Sequence, residues 1–227
     1  STDLQSFIDE YGFGKVISFP TTLYTYINMS KRHDGLYRIN YSMTEEIKSP
    51  NEIKNDIARE VIKYFKIGPI TMSFNSDINS TGSGLASSSS YTVAAVAAAM
   101  EYQGIKTSQF EICKIAHQIE LIFNPLTGYQ DCYGCGLPSA KLLEFYGGGD
   151  VKTKITHVKL PEVNMLLYPT DALRSSTNVL KTINIHKSHE LLDMVDACYT
   201  SLDIGELDMF KEYLDKAWQT KKLTSKN

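Results

Sequence analysis

Two kinds of side-chain spacing predict an α+β fold for this chain. Side chains alternate in character along residues 23–29 and 70–74, which is the two-residue period of a β-strand. Residues 51–65 instead carry an apolar side chain at every fourth position, which predicts an amphipathic helix. The glycine run at 147–149 is the clearest break, and the chain beyond it again mixes both patterns, so strands and helices are expected in both parts.

The first 50 residues are expected to form a short helix followed by three strands. A residue from 1–3 can cap the helix, which runs to Tyr11 and is broken by Gly12 and Gly14. Asp34-Gly35 is a strong hairpin-turn signal that leads into the third strand. The strands are predicted at 16–19, 23–29 and 36–41.

Helices are expected to dominate the middle of the chain. An alanine-rich stretch that follows a glycine and serine tract has high helix propensity up to Tyr102. Ser108 and Glu111 make a capping box that starts the next helix. One face of that helix carries Ile112, Ile115, Ile119 and Ile122. Beyond the glycine run, strands are predicted at 152–159 and 163–167, and helices at 188–201 and 207–223.

Composition excludes several classes of protein. The formal net charge of −3 argues against non-specific binding to nucleic acid or to an anionic membrane. No apolar run approaches the ~20 residues of a membrane span, and no basic-then-apolar export signal begins the chain. Cys132 and Cys135 form a CxxC, for which a structural or incidental role is expected and redox or metal binding is the alternative. Reduced thiols and the missing export signal predict the cytoplasm.

The tract from Asn79 to Ser90 lies between a predicted strand and a predicted long helix. Its backbone N–H groups, together with the positive end of the helix dipole, can form a cradle for phosphate. Gly82 and Gly84 permit positive φ, and the serine hydroxyls can bind Mg²⁺ or phosphate oxygens. The tract is neither a Walker A loop nor a Rossmann fingerprint. A flexible linker is the alternative, although the apolar Leu85 fits a linker poorly.

The segment from Gly82 to Ser90 resembles the second motif of the GHMP kinases, Pro-x-x-G-x-G-L-G/A-S-S-A/S/T, which wraps ATP phosphates. Its flanking residues look most like the subgroup that phosphorylates D-glycero-D-manno-heptose 7-phosphate. Asn79 or Ser80 stands near the position of the usual proline. The resemblance implies that ATP is bound by Gly82, Ser83, Gly84, Leu85, Ala86, Ser87, Ser88 and Ser89.

Phosphoryl transfer to a hydroxyl also needs a metal ion and a group that orients the acceptor. Glu120 lies at the border of the isoleucine face, where a carboxylate is either a boundary residue or a ligand. Asp131 lies in a predicted loop between Gly128 and Gly134, where it is either a turn residue or a catalytic group. The resemblance implies that Ser88 and Glu120 hold Mg²⁺ and that Asp131 is the base.

Further motifs point to the sugar. Ser1-Thr2-Asp3-Leu4 resembles the tail of the first GHMP motif, which implies that Thr2 and Asp3 bind sugar hydroxyls. Residues 168–176 resemble the pattern Tyr-Thr-Gly-x-x-Arg-x-Ser, which implies that Arg174 binds the substrate's phosphate. The segment 128–133 resembles the Gly-Lys-Gln-Asp-Gln-Tyr of heptose kinases, which adds Gln130 to the substrate site.

The resemblance implies a GHMP kinase fold, with a ribosomal-protein-S5-like N-terminal domain at 1–160 and a partial ferredoxin-like C-terminal domain at 161–227. The first strand and the glycine-rich third motif of the family are absent from these ends, so the chain is expected to be a fragment or the ordered part of a longer protein.

The implied activity is transfer of the ATP γ-phosphate, with Mg²⁺, to a sugar or sugar phosphate, D-glycero-D-manno-heptose 7-phosphate above all. A homodimer is compatible with the sequence. The alternative is a catalytically degenerate homologue that only binds nucleotide or sugar. The changed loop at 134–138 and the missing glycine-rich motifs motivate that alternative, and Tyr129 stands where the family usually has a lysine.

Overall fold

The structure is a computed structural model that describes residues 1–78, 84–147, 151–161, 166 and 180–224. The chain divides into two compact units, each assembled from separated segments. The first unit contains residues 1–20, 126–130 and 138–227, and the second contains residues 21–125 and 131–137. The predicted domain boundary after residue 160 stays a prediction.

In chain order the main elements are α1 (Gln5–Tyr11), β1 (Phe13–Ser18), β2 (Thr25–Lys31), β3 (Tyr37–Asn40), β4 (Thr44–Ile47), a 3₁₀ helix (Pro50–Glu52), α2 (Asp56–Tyr64), β5 (Ile70–Ser76), α3 (Ser87–Tyr102), α4 (Gln109–Phe123), α5 (Gln130–Gly136), β6 (Lys141–Tyr146), β7 (Lys152–His157), α6 (Ile185–Ser188), α7 (Glu190–Asp203) and α8 (Leu207–Thr224). None of the helices in the described ranges is long and apolar enough to cross a membrane.

The second unit is built on a four-stranded sheet in the order β2-β5-β3-β4. β5 pairs antiparallel with β2 and parallel with β3. The predicted hairpin at Asp34-Gly35 is therefore wrong, because β5 lies between the two strands that this turn connects. The local turn itself forms: Gly35 has φ 77°, and the Asp34 carboxylate accepts from the Leu36 N–H at 3.1 Å. The hairpin in this part of the chain joins β3 to β4, a strand that sequence patterns did not predict.

Three helices, α2, α3 and α4, form the core of the second unit together with β3 and β5. α3 contributes Ala95, Val96 and Ala99, none of which has any solvent exposure, and the small side chains let the helix approach its neighbours closely. Ser108 caps α4 as predicted, with its hydroxyl accepting from the Glu111 N–H at 3.2 Å. The predicted isoleucine face is only partly correct, because Ile122 is exposed.

The predicted helix at 51–65 begins later than expected. Ser49 caps a 3₁₀ turn that contains Pro50, and the Asn55 side chain then caps α2 by accepting from the Ala58 N–H at 2.9 Å. Each of these two caps starts its own helical segment, so the stretch that the apolar spacing predicted as one helix forms two.

The first unit is built on an antiparallel sheet in the order β1-β6-β7. The predicted helix to Tyr11 is present, and Gly12 ends it with φ 78°. Its predicted cap is wrong, since Leu4 takes the N-cap position without a side-chain hydrogen bond. α7 and α8 confirm the two predicted C-terminal helices. The strand predicted at 163–167 falls almost wholly outside the described residues.

Candidate active site

The glycine–serine tract leads into α3 through two left-handed residues. Gly84 has φ 74°, and Ala86, the N-cap of α3, has φ 53° and ψ 34°. A left-handed non-glycine residue costs roughly 1–3 kcal/mol, so this geometry needs compensation. Alanine also offers no oxygen to the N–H groups of the first turn, in contrast to the usual capping residues. The N-cap residue of α3 therefore supplies no side-chain oxygen that would compete with an anion at the positive end of the helix.

The predicted ATP-binding residues are only partly described. Gly82 and Ser83 lie outside the described residues. Ser88 is exposed in the first turn of α3, whereas Ser89 is buried. The Ser90 hydroxyl lies 2.8 Å from the hydroxyl of Thr25 and so joins this turn to β2. The first turn therefore has one serine facing water and one facing the interior of the second unit.

The interior serine meets the predicted metal ligand. Ser89 Oγ donates to Glu120 Oε2 at 2.6 Å, and the Cys132 thiol donates to the same oxygen at 3.3 Å. Sequence reasoning paired Glu120 with Ser88; in the structure the hydroxyl that contacts it belongs to Ser89. The role of Ser88 as a metal ligand stays a prediction. Cys132 was given a structural or incidental role, and no sequence signal connected it to Glu120.

The charge of Glu120 is poorly compensated by its surroundings. Its side chain is 2% exposed and lies in the last turn of α4, where the helix dipole disfavours negative charge. No ion pair among the described residues includes it. Two neutral donors offset only part of the cost of burying a carboxylate. A hard oxygen ligand in this setting suits Mg²⁺, which commonly binds one or two carboxylates together with substrate phosphates.

Cys132, the second donor to Glu120, keeps its proton. Cys132 is fully buried, and burial, followed by the negative charge of Glu120, raises the pKa of the thiol well above its usual value. The thiol therefore stays neutral and acts as a donor to Oε2. All four cysteines of the chain are free thiols in the structure.

Asp131 lies on a helix where sequence reasoning expected a loop. Residues Gln130–Gly136 form α5, with Asp131 exposed in its first turn, where a carboxylate interacts favourably with the helix dipole. Gly136 lets this helix pack closely on α4, because a Cβ there would lie 2.4 Å from the sulfur of Cys113. Asp131 directly precedes Cys132 in sequence, so the candidate base adjoins a residue that contacts Glu120.

In the first unit, the structure brings Thr2, Asp3 and Gln130 together. Thr2 Oγ1 donates to the Lys15 carbonyl at 2.8 Å, and Asp3 Oδ2 accepts from the Gln130 N–H at 3.1 Å. A Cβ on Gly128 would lie 2.0 Å from Asp3 Oδ2. Sequence reasoning assigned these polar groups to the sugar; in the structure their described partners are backbone groups.

Two further expectations concern Arg174 and the position of the family's lysine. Arg174 lies outside the described residues. Tyr129, which replaces that lysine, donates its hydroxyl to Gln5 Oε1 at 2.6 Å, and its ring packs 5.4 Å from the ring of Phe145. The substitution therefore makes a packed aromatic contact within the first unit.

Comparisons with known proteins identify the kind of chain to which this arrangement belongs. The family model described as GHMP kinases N terminal domain matches residues 51–138. A D-glycero-alpha-D-manno-heptose 7-phosphate kinase of Campylobacter jejuni subsp. jejuni is 27% identical over 259 residues, covering 99% of this chain and 74% of that protein. The recognition of the family from the glycine–serine motif is thereby confirmed.

Solved structures show the same fold. A D-glycero-D-manno-heptose 1-phosphate kinase from Bacteroides thetaiotaomicron has a TM-score of 0.75 at 18% identity, covering 98% of this chain and 74% of that chain. Streptococcus pneumoniae phosphomevalonate kinase, in complex with phosphomevalonate and AMPPNP, has a TM-score of 0.66 at 14% identity. The match covers 92% of this chain and 79% of that chain. The predicted α+β GHMP kinase fold is confirmed.

Proposed function

On the premise that the chain is a relative of the GHMP kinases, we propose that it transfers the γ-phosphate of ATP to a hydroxyl of a sugar or sugar phosphate. The proposed substrate is D-glycero-D-manno-heptose 7-phosphate, converted to the 1,7-bisphosphate. The names of the Campylobacter and Bacteroides relatives support a heptose phosphate. The sequence motif at 128–133 supports the same subgroup.

One observation carries the proposal: the N-terminus of α3, whose N-cap is an alanine, is joined to a buried carboxylate by the Ser89–Glu120 hydrogen bond. The helix end attracts the phosphates of ATP through its N–H groups and its dipole. The carboxylate attracts a cation because its own neighbours are neutral donors. A polyphosphate and its counter-ion are thus bound by adjacent parts of one unit, which is what phosphoryl transfer requires.

The metal ion and the sugar hydroxyl are assigned to different residues of the second unit. Glu120, with Ser88, would hold Mg²⁺, which neutralises charge on the phosphates when it is bound. Asp131, exposed on α5, would orient the sugar hydroxyl and accept its proton. Positioning contributes at least as much as base strength, because the proton can leave late in a loose phosphoryl-transfer transition state.

Substrate binding is assigned to Thr2, Asp3, Gln130 and Arg174. Asp3 fixes the backbone of Gln130 through the 3.1 Å hydrogen bond, so it would act on the sugar mainly by positioning the residue that precedes the base. Arg174 would bind the 7-phosphate, since a guanidinium suits bidentate phosphate binding.

A coupled ADP-release assay tests the proposal. The protein is assayed with MgATP and heptose 7-phosphate, free heptose, fucose, galactose or mevalonate. ADP release is expected to be fastest with heptose 7-phosphate. Release that depends on mevalonate alone, or on no added acceptor, would contradict the assignment.

The packed Tyr129 favours a second candidate, a degenerate homologue that binds nucleotide or sugar without turnover. Calorimetric binding of MgATP together with no ADP release for any acceptor would establish that alternative.

A further inference from the structure

Glu120 receives both of its described side-chain hydrogen bonds on one oxygen. Ser89 Oγ and the Cys132 thiol donate to Oε2, at 2.6 Å and 3.3 Å. The two donors come from different helices, α3 and α5, and neither residue is more than 2% exposed. A carboxylate held from two directions loses its freedom to rotate about its terminal bond.

The thiol is the unexpected member of this group. Position 132 corresponds to the second glutamine of the Gly-Lys-Gln-Asp-Gln-Tyr pattern, so the pattern also has a donor there. A role as core packing alone does not require the sulfur to contact a carboxylate. Cys132 thus contacts Glu120 and is the direct neighbour of Asp131 in sequence.

We propose that Cys132 is a positioning residue for Glu120: with Ser89, it holds the carboxylate in the orientation that meets the metal ion of MgATP. This inference rests on the proposed nucleotide and metal roles of the second unit. Residues that orient a metal ligand typically change metal affinity 10–100-fold when they are replaced. A weak thiol donor is expected to lie at the lower end of that range.

The test separates metal binding from turnover. AMPPNP is titrated into the protein by calorimetry, once with Mg²⁺ and once with EDTA. The Kd in EDTA divided by the Kd with Mg²⁺ measures how much the metal strengthens nucleotide binding. Cys132→Ala is expected to lower that ratio about tenfold and to leave the Kd in EDTA unchanged. Cys132→Ser keeps a donor at the same position and is expected to restore most of the ratio.

Cys198→Ala is the matched control. Cys198 is also a buried thiol, but it lies on α7 in the first unit. The control loses a comparable amount of packing and is expected to keep the wild-type ratio. Thermal unfolding of each variant shows that the titrated protein is folded.

The outcomes distinguish the two proposals. A wild-type ratio in Cys132→Ala, or an equal loss in Cys132→Ser and Cys132→Ala, overturns the positioning role alone. A wild-type protein without any Mg²⁺ effect on AMPPNP binding overturns the positioning role and the metal role of Glu120 together. The predicted ratios combined with no turnover of any sugar support the positioning role and contradict only the sugar-kinase assignment.

Discussion

Glu120 and Asp3 are both buried carboxylates in this protein, and their partners differ in kind. Asp3 accepts from the backbone N–H of Gln130. Glu120 accepts from the side-chain hydroxyl of Ser89 and the thiol of Cys132. The backbone donor ties Asp3 to the fold of the first unit. Neutral side-chain donors orient Glu120 but leave most of its charge available to a cation.

The comparison shows that burial alone does not identify a functional carboxylate. The steric setting supports the same distinction, because the Gly128 backbone approaches Asp3 too closely to admit a side chain. The described contacts of Asp3 Oδ2 are thus with the backbone of residues 128 and 130 in the first unit. The following variants are chosen to separate a carboxylate that binds ligand from one that builds structure.

The largest expected effect concerns Asp131, the neighbour in sequence of Cys132. Asp131→Asn keeps the size of the side chain and removes the proton acceptor. Turnover is expected to fall ~100-fold or more, with little change in ATP affinity, as is usual for loss of a general base. Steady-state ADP release and calorimetry with MgATP measure the two quantities. Turnover near the wild-type rate would show that positioning alone performs catalysis.

Gly128→Ala tests the structural role of Asp3. The added methyl would lie 2.0 Å from Asp3 Oδ2, so the buried carboxylate or the backbone must shift, and a loss of about 2–3 kcal/mol in the free energy of unfolding is expected. Gly68→Ala is the control, because no atom lies within 4 Å of the Cβ built there. Urea unfolding of both variants gives the comparison. Equal stabilities would show that the Asp3 segment adapts without cost.

Glu120→Gln is expected to weaken metal-dependent nucleotide binding without lowering stability, in contrast to Gly128→Ala. The amide keeps an oxygen for Ser89 and Cys132 but removes a buried charge, so the free energy of unfolding should not fall. The Mg²⁺ dependence of AMPPNP affinity should fall about tenfold, since a ligand to the metal is lost. A clear loss of stability together with unchanged Mg²⁺ dependence would place Glu120 with Asp3 as a structural carboxylate.

Local signals in the sequence predicted the parts of this fold that depend on local interactions. Helix propensity predicted α3, a capping box predicted the start of α4, and the left-handed Gly84 follows from the glycine-rich motif. Each of these features involves residues only a few positions apart. The helix end to which phosphate binding is proposed could therefore be located from the sequence.

Features that depend on distant residues could not be predicted in this way. The turn at Asp34-Gly35 forms, but β5, some 35 residues later, takes the place beside β2 that a hairpin partner would have taken. Likewise, the contacts of Ser89 and Cys132 with Glu120 span 31 and 12 positions and join three helices. Asp131 was expected in a loop because the flanking Gly128 and Gly134 resemble turn signals, whereas Gly134 lies inside α5 and the next glycine, Gly136, packs closely against Cys113 of α4.

ATP affinity at the glycine–serine tract tests the central claim most directly. Gly84 and Gly35 both have positive φ, at 74° and 77°, and a Cβ on either would meet no atom of the described residues within 4 Å. Valine at either position imposes similar backbone strain, but only position 84 lies at the proposed phosphate site. Calorimetry with MgATP is expected to show ~100-fold or weaker binding for Gly84→Val and near-normal binding for Gly35→Val, in line with a blocked backbone approach to the phosphates. Equal affinities in the two variants would contradict nucleotide binding at the N-terminus of α3.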